Sequence, residues 1–135
     1  MDTKLIEISV KEICNGFVFD KNEGKKLNTV VFQTPSGVSK GILVSPTVHG
    51  NIFVGPSYDV TDDKDDVTTH SEILDSVFKT AKLSVPSIDR GKVITQFAGI
   101  RAVSDNADFI IEESEIKGFI NAAGICSPGL STSYA

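Results

Sequence analysis

Two side chains in this sequence stand where chemistry could use them. His49, one of two histidines, lies in Ser45-Pro46-Thr47-Val48-His49-Gly50-Asn51, a turn between apolar segments. An imidazole there could act as a general base or bind an anion; it could equally cap backbone groups of a hairpin turn. Arg101 follows Gln96-Phe97-Ala98-Gly99-Ile100 in an otherwise apolar strand, next to a glycine that lets another group approach. The planar fork of an arginine in such a place needs a partner. A bound carboxylate or phosphate would satisfy it, and so would an internal Asp or Glu.

A third feature is the glycine-rich Gly124-Ile125-Cys126-Ser127-Pro128-Gly129-Leu130, placed directly after an apolar strand. Such a turn can offer backbone N–H groups and the start of a helix to an anion, or merely join strand to helix. The two cysteines, Cys14 and Cys126, are far apart and in no metal-ligand spacing. Free thiols in a reducing cytoplasm are the expected state, with Cys14 an ordinary half-buried residue.

The chain has no Gly-x-Gly-x-x-Gly turn, Walker loop, Gly-x-Ser-x-Gly elbow or paired metal-ligand motif. Thirteen basic against eighteen acidic residues give a net charge of −5, which argues against nucleic acid as the main partner. A small anion could still bind locally. The apolar runs are far shorter than the ~20 residues that cross a bilayer, so no transmembrane segment is expected. At 135 residues, 40% hydrophobic and 23% charged, the chain suits one soluble domain with an ordinary core.

The elements that must position these residues are mostly strands. Leu5-Ile6-Glu7-Ile8-Ser9-Val10 alternates apolar and polar, Phe17-Val18-Phe19 is a compact apolar run, and Asp20 to Gly24 has turn chemistry. Thr29 to Phe32, Gly41 to Val44 and Ile52 to Val54 follow, separated by Pro35-Ser36-Gly37 and by His49-Gly50-Asn51. Their close spacing predicts an antiparallel meander. Asp59 to Asp66, with five aspartates and one lysine, reads as a solvated loop. Ile73, Leu74, Val77, Phe78 and Ala81 then recur on one helical face, Thr69 and Glu72 have capping-box spacing, and Pro86 ends the helix. Val93 to Val103 is a long strand, and Phe109 to Glu112 with Phe119 to Ala123 should form a hairpin across Ser114 to Gly118.

Taken in order, Val30-Val31-Phe32-Gln33, the Gly41 to Pro56 run with its Pro-Thr-Val-His-Gly-Asn core, Phe97-Ala98-Gly99-Ile100-Arg101, Asp108 to Glu112 and Gly118 to Leu130 carry a likeness. They resemble the later half of the D-amino-acid-oxidase-like flavoproteins, in the branch of glycerol-3-phosphate dehydrogenases and L-2-hydroxyglutarate oxidases. The resemblance covers about residues 16 to 135. It implies FAD as cofactor and an α+β fold, a mainly antiparallel sheet of about six strands with one helix packed on it.

Residues 1–118 would then be the substrate-binding portion, and 119–135 the returning strand and flavin-contacting loop of the FAD domain. The chain would be a fragment lacking the N-terminal FAD-binding βαβ unit, inactive and unable to hold FAD tightly by itself. Its partners would be a small anionic substrate and the remainder of the same flavoprotein. By resemblance, Arg101 would hold the substrate's phosphate or carboxylate. Gly124, Ile125, Ser127, Pro128, Gly129 and Leu130 would lie against the flavin, and His49 would be the base for the hydroxyl proton as hydride passes to FAD. Cys14-Asn15-Gly16-Phe17 departs from the family, which often has a basic residue and a glycine ahead of the aromatic strand.

The implied reaction is oxidation of a small anionic secondary alcohol, glycerol 3-phosphate first and a 2-hydroxy acid as the alternative. An amine-oxidising relative and a cofactor-free, β-rich binding module are the other readings. The strand Phe119 to Ala123 would leave an exposed edge, through which a dimer could form.

Overall fold

The computed structural model describes residues 8–35, 41–104 and 108–134. Strands β1 (Ile8–Phe19), β2 (Val31–Phe32), β3 (Leu43–Pro46), β4 (Ile52–Gly55), β5 (Asp59–Val60) and β6 (Val93–Ser104) make one antiparallel sheet. The order is β2-β3-β4-β1-β5, with β6 on the other edge of β1. This is no plain meander: β1 sits at the centre and pairs with β4, β5 and β6 in turn. Strands β7 (Ile110–Glu113) and β8 (Ile120–Ala123) form the expected hairpin as a separate two-stranded ribbon.

Ile8 to Val10 and Phe17 to Phe19 belong to one strand, while Leu5 to Glu7 of the expected first strand lie outside the described residues. Glu12 to Gly16, which looks too polar to continue a strand, pairs throughout with β6, and Glu12 and Ile13 pair with β5 on the other edge. Successive side chains alternate faces. Ile13, Asn15, Phe17 and Phe19 are buried on one face, while Glu12, Cys14, Gly16 and Val18 belong to the other. The buried face meets helix α2 (Ser71–Ser84) through Leu74, Val77 and Ala81, which share a core with Val44, Ile52 and Val54. Phe19 lies at the centre, edge-on to Phe17 at 6.0 Å and stacked on Phe78 at 6.3 Å.

Helix α2 matches the expected apolar face and ends before Pro86, but its start differs. His70 is the N-cap residue and makes no side-chain cap, so the Thr69–Glu72 box does not form. Thr69 instead accepts a hydrogen bond from Gln96 Nε2 at 3.1 Å. Just ahead, the Asp66 carboxyl is held down to about 2, first by the Thr68 hydroxyl, then by the Thr68 backbone and by His70. The Asp59 to Asp66 segment is a loop after its first two residues, which pair with β1 as β5. Asp20 caps a single helical turn, α1 (Lys21–Gly24), where the sequence reads as a turn.

That turn is clamped by charge. Glu23 is buried, bonded to Lys26 Nζ at 2.6 Å and to the Asp89 backbone N–H at 3.1 Å. Gly24 lies so close to the β3–β4 turn that a Cβ would stand 1.8 Å from the Gly50 carbonyl oxygen. In urea unfolding, Phe19→Ala should cost ~3–5 kcal/mol through its cavity. Gly24→Ala should cost ~1–3 kcal/mol by forcing that turn apart. Unchanged midpoints would contradict this packing.

Candidate functional site

Arg101 lies on the face of the sheet opposite α2, and the register of β1 against β6 decides what stands beside it. Glu12 faces Arg101, Cys14 faces Gly99 and Gly16 faces Phe97. A bulge between Val10 and Glu12 sets this pairing. Val10 pairs with Ala102, so an unbroken ladder would put Lys11 opposite Arg101 and juxtapose two cations. The bulge brings a carboxylate there instead. Arg101 Nη1 and Glu12 Oε2 are 3.7 Å apart, a loose ion pair beyond direct hydrogen-bond length.

A second group reaches Glu12 from the segment between β4 and β5. Gly55 (φ 144°) passes so close to β1 that a Cβ would lie 2.9 Å from the Asn15 carbonyl oxygen. Ser57 then clasps Asn15: the Asn15 N–H donates to Ser57 Oγ at 3.0 Å, and the Ser57 N–H to the Asn15 carbonyl at 2.9 Å. This clasp delivers the next residue, Tyr58, to the open face. Its phenol is pushed above its usual value of 10.0, first by a hydrogen bond to Glu12 and then by that carboxylate's charge, with Cys126 contributing and Arg101 opposing.

Cys14 completes the group. Burial pushes its thiol up most, Glu12 and Asp59 add to that, and the charge and hydrogen bond of Arg101 pull the other way. The net rise keeps it a neutral thiol at pH 7, which removes it as a nucleophile. Alongside, Phe53 and Phe97 stack with centroids 5.8 Å apart, and Gly16 makes room, since a Cβ there would meet Phe53 Cε2 at 2.7 Å. Gly99 has nothing within 4 Å of where its Cβ would be. The open face thus offers an aromatic pair, a gap and an arginine side by side.

The loop after β8 begins at Gly124 (φ 67°), where a Cβ would stand 3.0 Å from Ser104 Cβ at the end of β6. Its Cys126 N–H donates to the Gly124 carbonyl at 3.0 Å, and it leads into a four-residue helix, α3 (Gly129–Thr132). Ile125 and Ser127 are half-buried, Gly129 has only Ile125 Cγ2 near its missing Cβ, at 3.9 Å, and Pro128 and Leu130 are exposed. This glycine-lined edge fits the approach of a flat cofactor to backbone N–H groups.

His49 is elsewhere. It lies exposed in the β3–β4 turn, closed by the Thr47 N–H on the Asn51 carbonyl at 2.8 Å, and Asn51 Nδ2 bonds the Phe19 carbonyl at 2.8 Å. Glu12 lies well inside β1 and Phe19 at its end, roughly 20 Å apart at the usual rise of ~3.3 Å per residue. His49 and Arg101 do not share a site. Glu12 and Tyr58, which do stand with Arg101, are the residues that local patterns pass over. A cleft of about 690 Å³ beside α2 is lined by Gln33, Ile42, Ser57, Tyr58, Val77 and Thr80, and Arg101 does not line it.

A mainly antiparallel sheet backed by one helix, with an arginine on its open face, is the layout of one portion of a flavoprotein. The chain superposes on L-alpha-glycerophosphate oxidase from Mycoplasma pneumoniae, solved with FAD bound, with a TM-score of 0.80 and 28% identity over 93% of this chain and 33% of that one. A family profile, FAD dependent oxidoreductase, matches residues 15–135, and the chain belongs to that family. It is 47% identical over 120 residues to glycerol 3-phosphate dehydrogenase of Caloramator mitchellensis, covering 88% of this chain and 25% of that protein. It is 38% identical over 121 residues to glycerol 3-phosphate oxidase of Mycoplasma genitalium, covering 85% and 31%. It thus spans between a quarter and a third of these relatives. No helix among the described residues is long and apolar enough to cross a membrane.

Tyr58 and Tyr134 are the two tyrosines of the chain, so a Tyr134→Phe variant reads Tyr58 by itself in ultraviolet titration. The Tyr58 phenolate should appear above its usual value of 10.0, and Glu12→Gln should bring it back down. A Tyr58 titration that Glu12→Gln leaves unmoved would rule out the Glu12–Tyr58 contact.

Proposed function

We propose that the protein of which this chain forms part oxidises glycerol 3-phosphate at its secondary alcohol. The carrying observation is Arg101 on the open sheet face, beside the gap at Gly99, in a chain this similar to glycerol 3-phosphate dehydrogenases and oxidases. When bound, FAD would supply the hydride acceptor. Arg101 would hold the substrate's phosphate through its planar fork and so fix which carbon is presented. Its loose contact with Glu12 leaves donors free for that anion. Ile125, Ser127 and Gly129 would turn backbone N–H groups toward the flavin, with Gly124, Pro128 and Leu130 shaping the approach.

The position of His49, at the far end of β1, gives its role as base no support. Residues 1–118 would form the substrate side, and 119–135 the strand and loop of the cofactor side. The ribbon supports a further partner: Ile111, Ile116, Phe119 and Ile120 are all exposed, and the remainder of the flavoprotein would cover them. A dimer through β8 is the competing occupant. The free cysteines suit a reducing cytoplasm.

The test is FAD titration of this chain and of the full-length protein, with glycerol 3-phosphate or 2-hydroxyglutarate present. Tight binding and bleaching by glycerol 3-phosphate, in the full-length protein alone, is the expected result. Bleaching only by 2-hydroxyglutarate would transfer Arg101 to a carboxylate, and no flavin binding by either would leave a cofactor-free module. In the full-length enzyme Arg101→Ala should lower kcat/KM roughly 100-fold, the size of a lost charged hydrogen bond.

A further inference from the structure

Glu12 needs an explanation that the proposed reaction does not give. It is a carboxylate 9% exposed, on the same face as the anion-binding arginine and directly across the ladder from it. A negative charge there opposes the binding of any phosphate or carboxylate at Arg101. Yet the strand is bulged to place it so, and Tyr58, just ahead of β5, comes across to share it.

We infer that Glu12 is a resident competitor for Arg101, an anion that pairs with the guanidinium when no substrate is bound and that the substrate's anion must displace. This rests on the reading of Arg101 as the anion ligand. The geometry has the required looseness: at 3.7 Å the pair is an ion contact without a direct bidentate clamp, so the guanidinium can turn to an incoming oxyanion without breaking a tight fork. It also has an outlet for the displaced charge. Glu12 keeps the Tyr58 phenol as donor when Arg101 turns away, so the buried carboxylate is not left bare. Cys14, protonated, adds no competing charge beside them.

Glu12 would set specificity by demanding an anion strong enough to take its place. A neutral polyol lacking the phosphate could not replace the carboxylate and would leave Arg101 paired with Glu12.

The two variants should move affinity in opposite directions. In the full-length enzyme, calorimetric titration with inorganic phosphate should give a Kd roughly fivefold lower for Glu12→Gln, because the competing charge is gone. Tyr58→Phe should raise the Kd about twofold, because the carboxylate then leans more fully on Arg101. A scaffold role for Glu12 predicts that both variants weaken binding. An unchanged or higher Kd for Glu12→Gln overturns the inference, and if that variant does not fold, a Kd unchanged or lowered by Tyr58→Phe overturns it. Phosphate binding that survives Arg101→Ala would instead remove the anion site itself, and this inference with it; loss of binding there leaves the two variants as the deciding result.

Discussion

Almost everything described here depends on one strand having two sufficient partners. Strand β1 pairs along its whole length with β6 and, on its other edge, with β5 at Glu12 and Ile13 and with β4 at Phe17 to Phe19. Because its side chains alternate, one register sends Ile13, Phe17 and Phe19 into the core under α2 and Glu12, Cys14 and Gly16 to the open face. A slip of one residue would exchange the two sets. The core and the arginine site are therefore fixed by a single alignment. The bulge ahead of Glu12 sets one register from the Glu12–Arg101 pair through to Val18 and Thr95, and a second shift lies between Val18 and Phe19.

What the sequence showed and what it hid divide along this same line. Helix α2 was legible because its apolar spacing is local, and the β7–β8 hairpin because its turn residues lie between two apolar runs. The continuity of β1 was hidden, since Lys11 to Gly16 carries no local pattern of a strand and is stabilised by residues far along the chain. The partner of Arg101 was hidden for the same reason: an internal carboxylate was one of two open readings, and only register names Glu12. Tyr58 was marked by no local pattern, although the Ser57–Asn15 clasp makes its position definite. His49 drew notice by rarity, yet rarity says nothing of distance.

The electrostatics of the open face follow from its burial. Glu12 is too enclosed to be hydrated freely, so it must be met by a cation, a donor, or both, and Arg101 and Tyr58 provide one each. The pull on Cys14 is a contest that burial wins, which leaves the thiol neutral and the arginine's charge undivided. With the chain at net −5, a local positive centre is not a reflection of overall charge. It exists because one strand position opposite Glu12 is occupied by Arg101.

The β7–β8 ribbon obeys a different balance. Two strands alone are marginal in water because neither face is covered, and this pair exposes Ile111, Phe119 and Ile120. The glycine-rich loop leaves it beside Ser104, at the end of β6, so the ribbon is tied to the main sheet near the arginine site. A surface that apolar, attached there, would be ordered most effectively by whatever also covers the open face. The same body would then bury the ribbon, close over Phe97 and Gly99, and exclude water from Arg101. The loop from Gly124 to Leu130 joins the ribbon to the end of β6, so a body covering the ribbon would lie close to Arg101 as well.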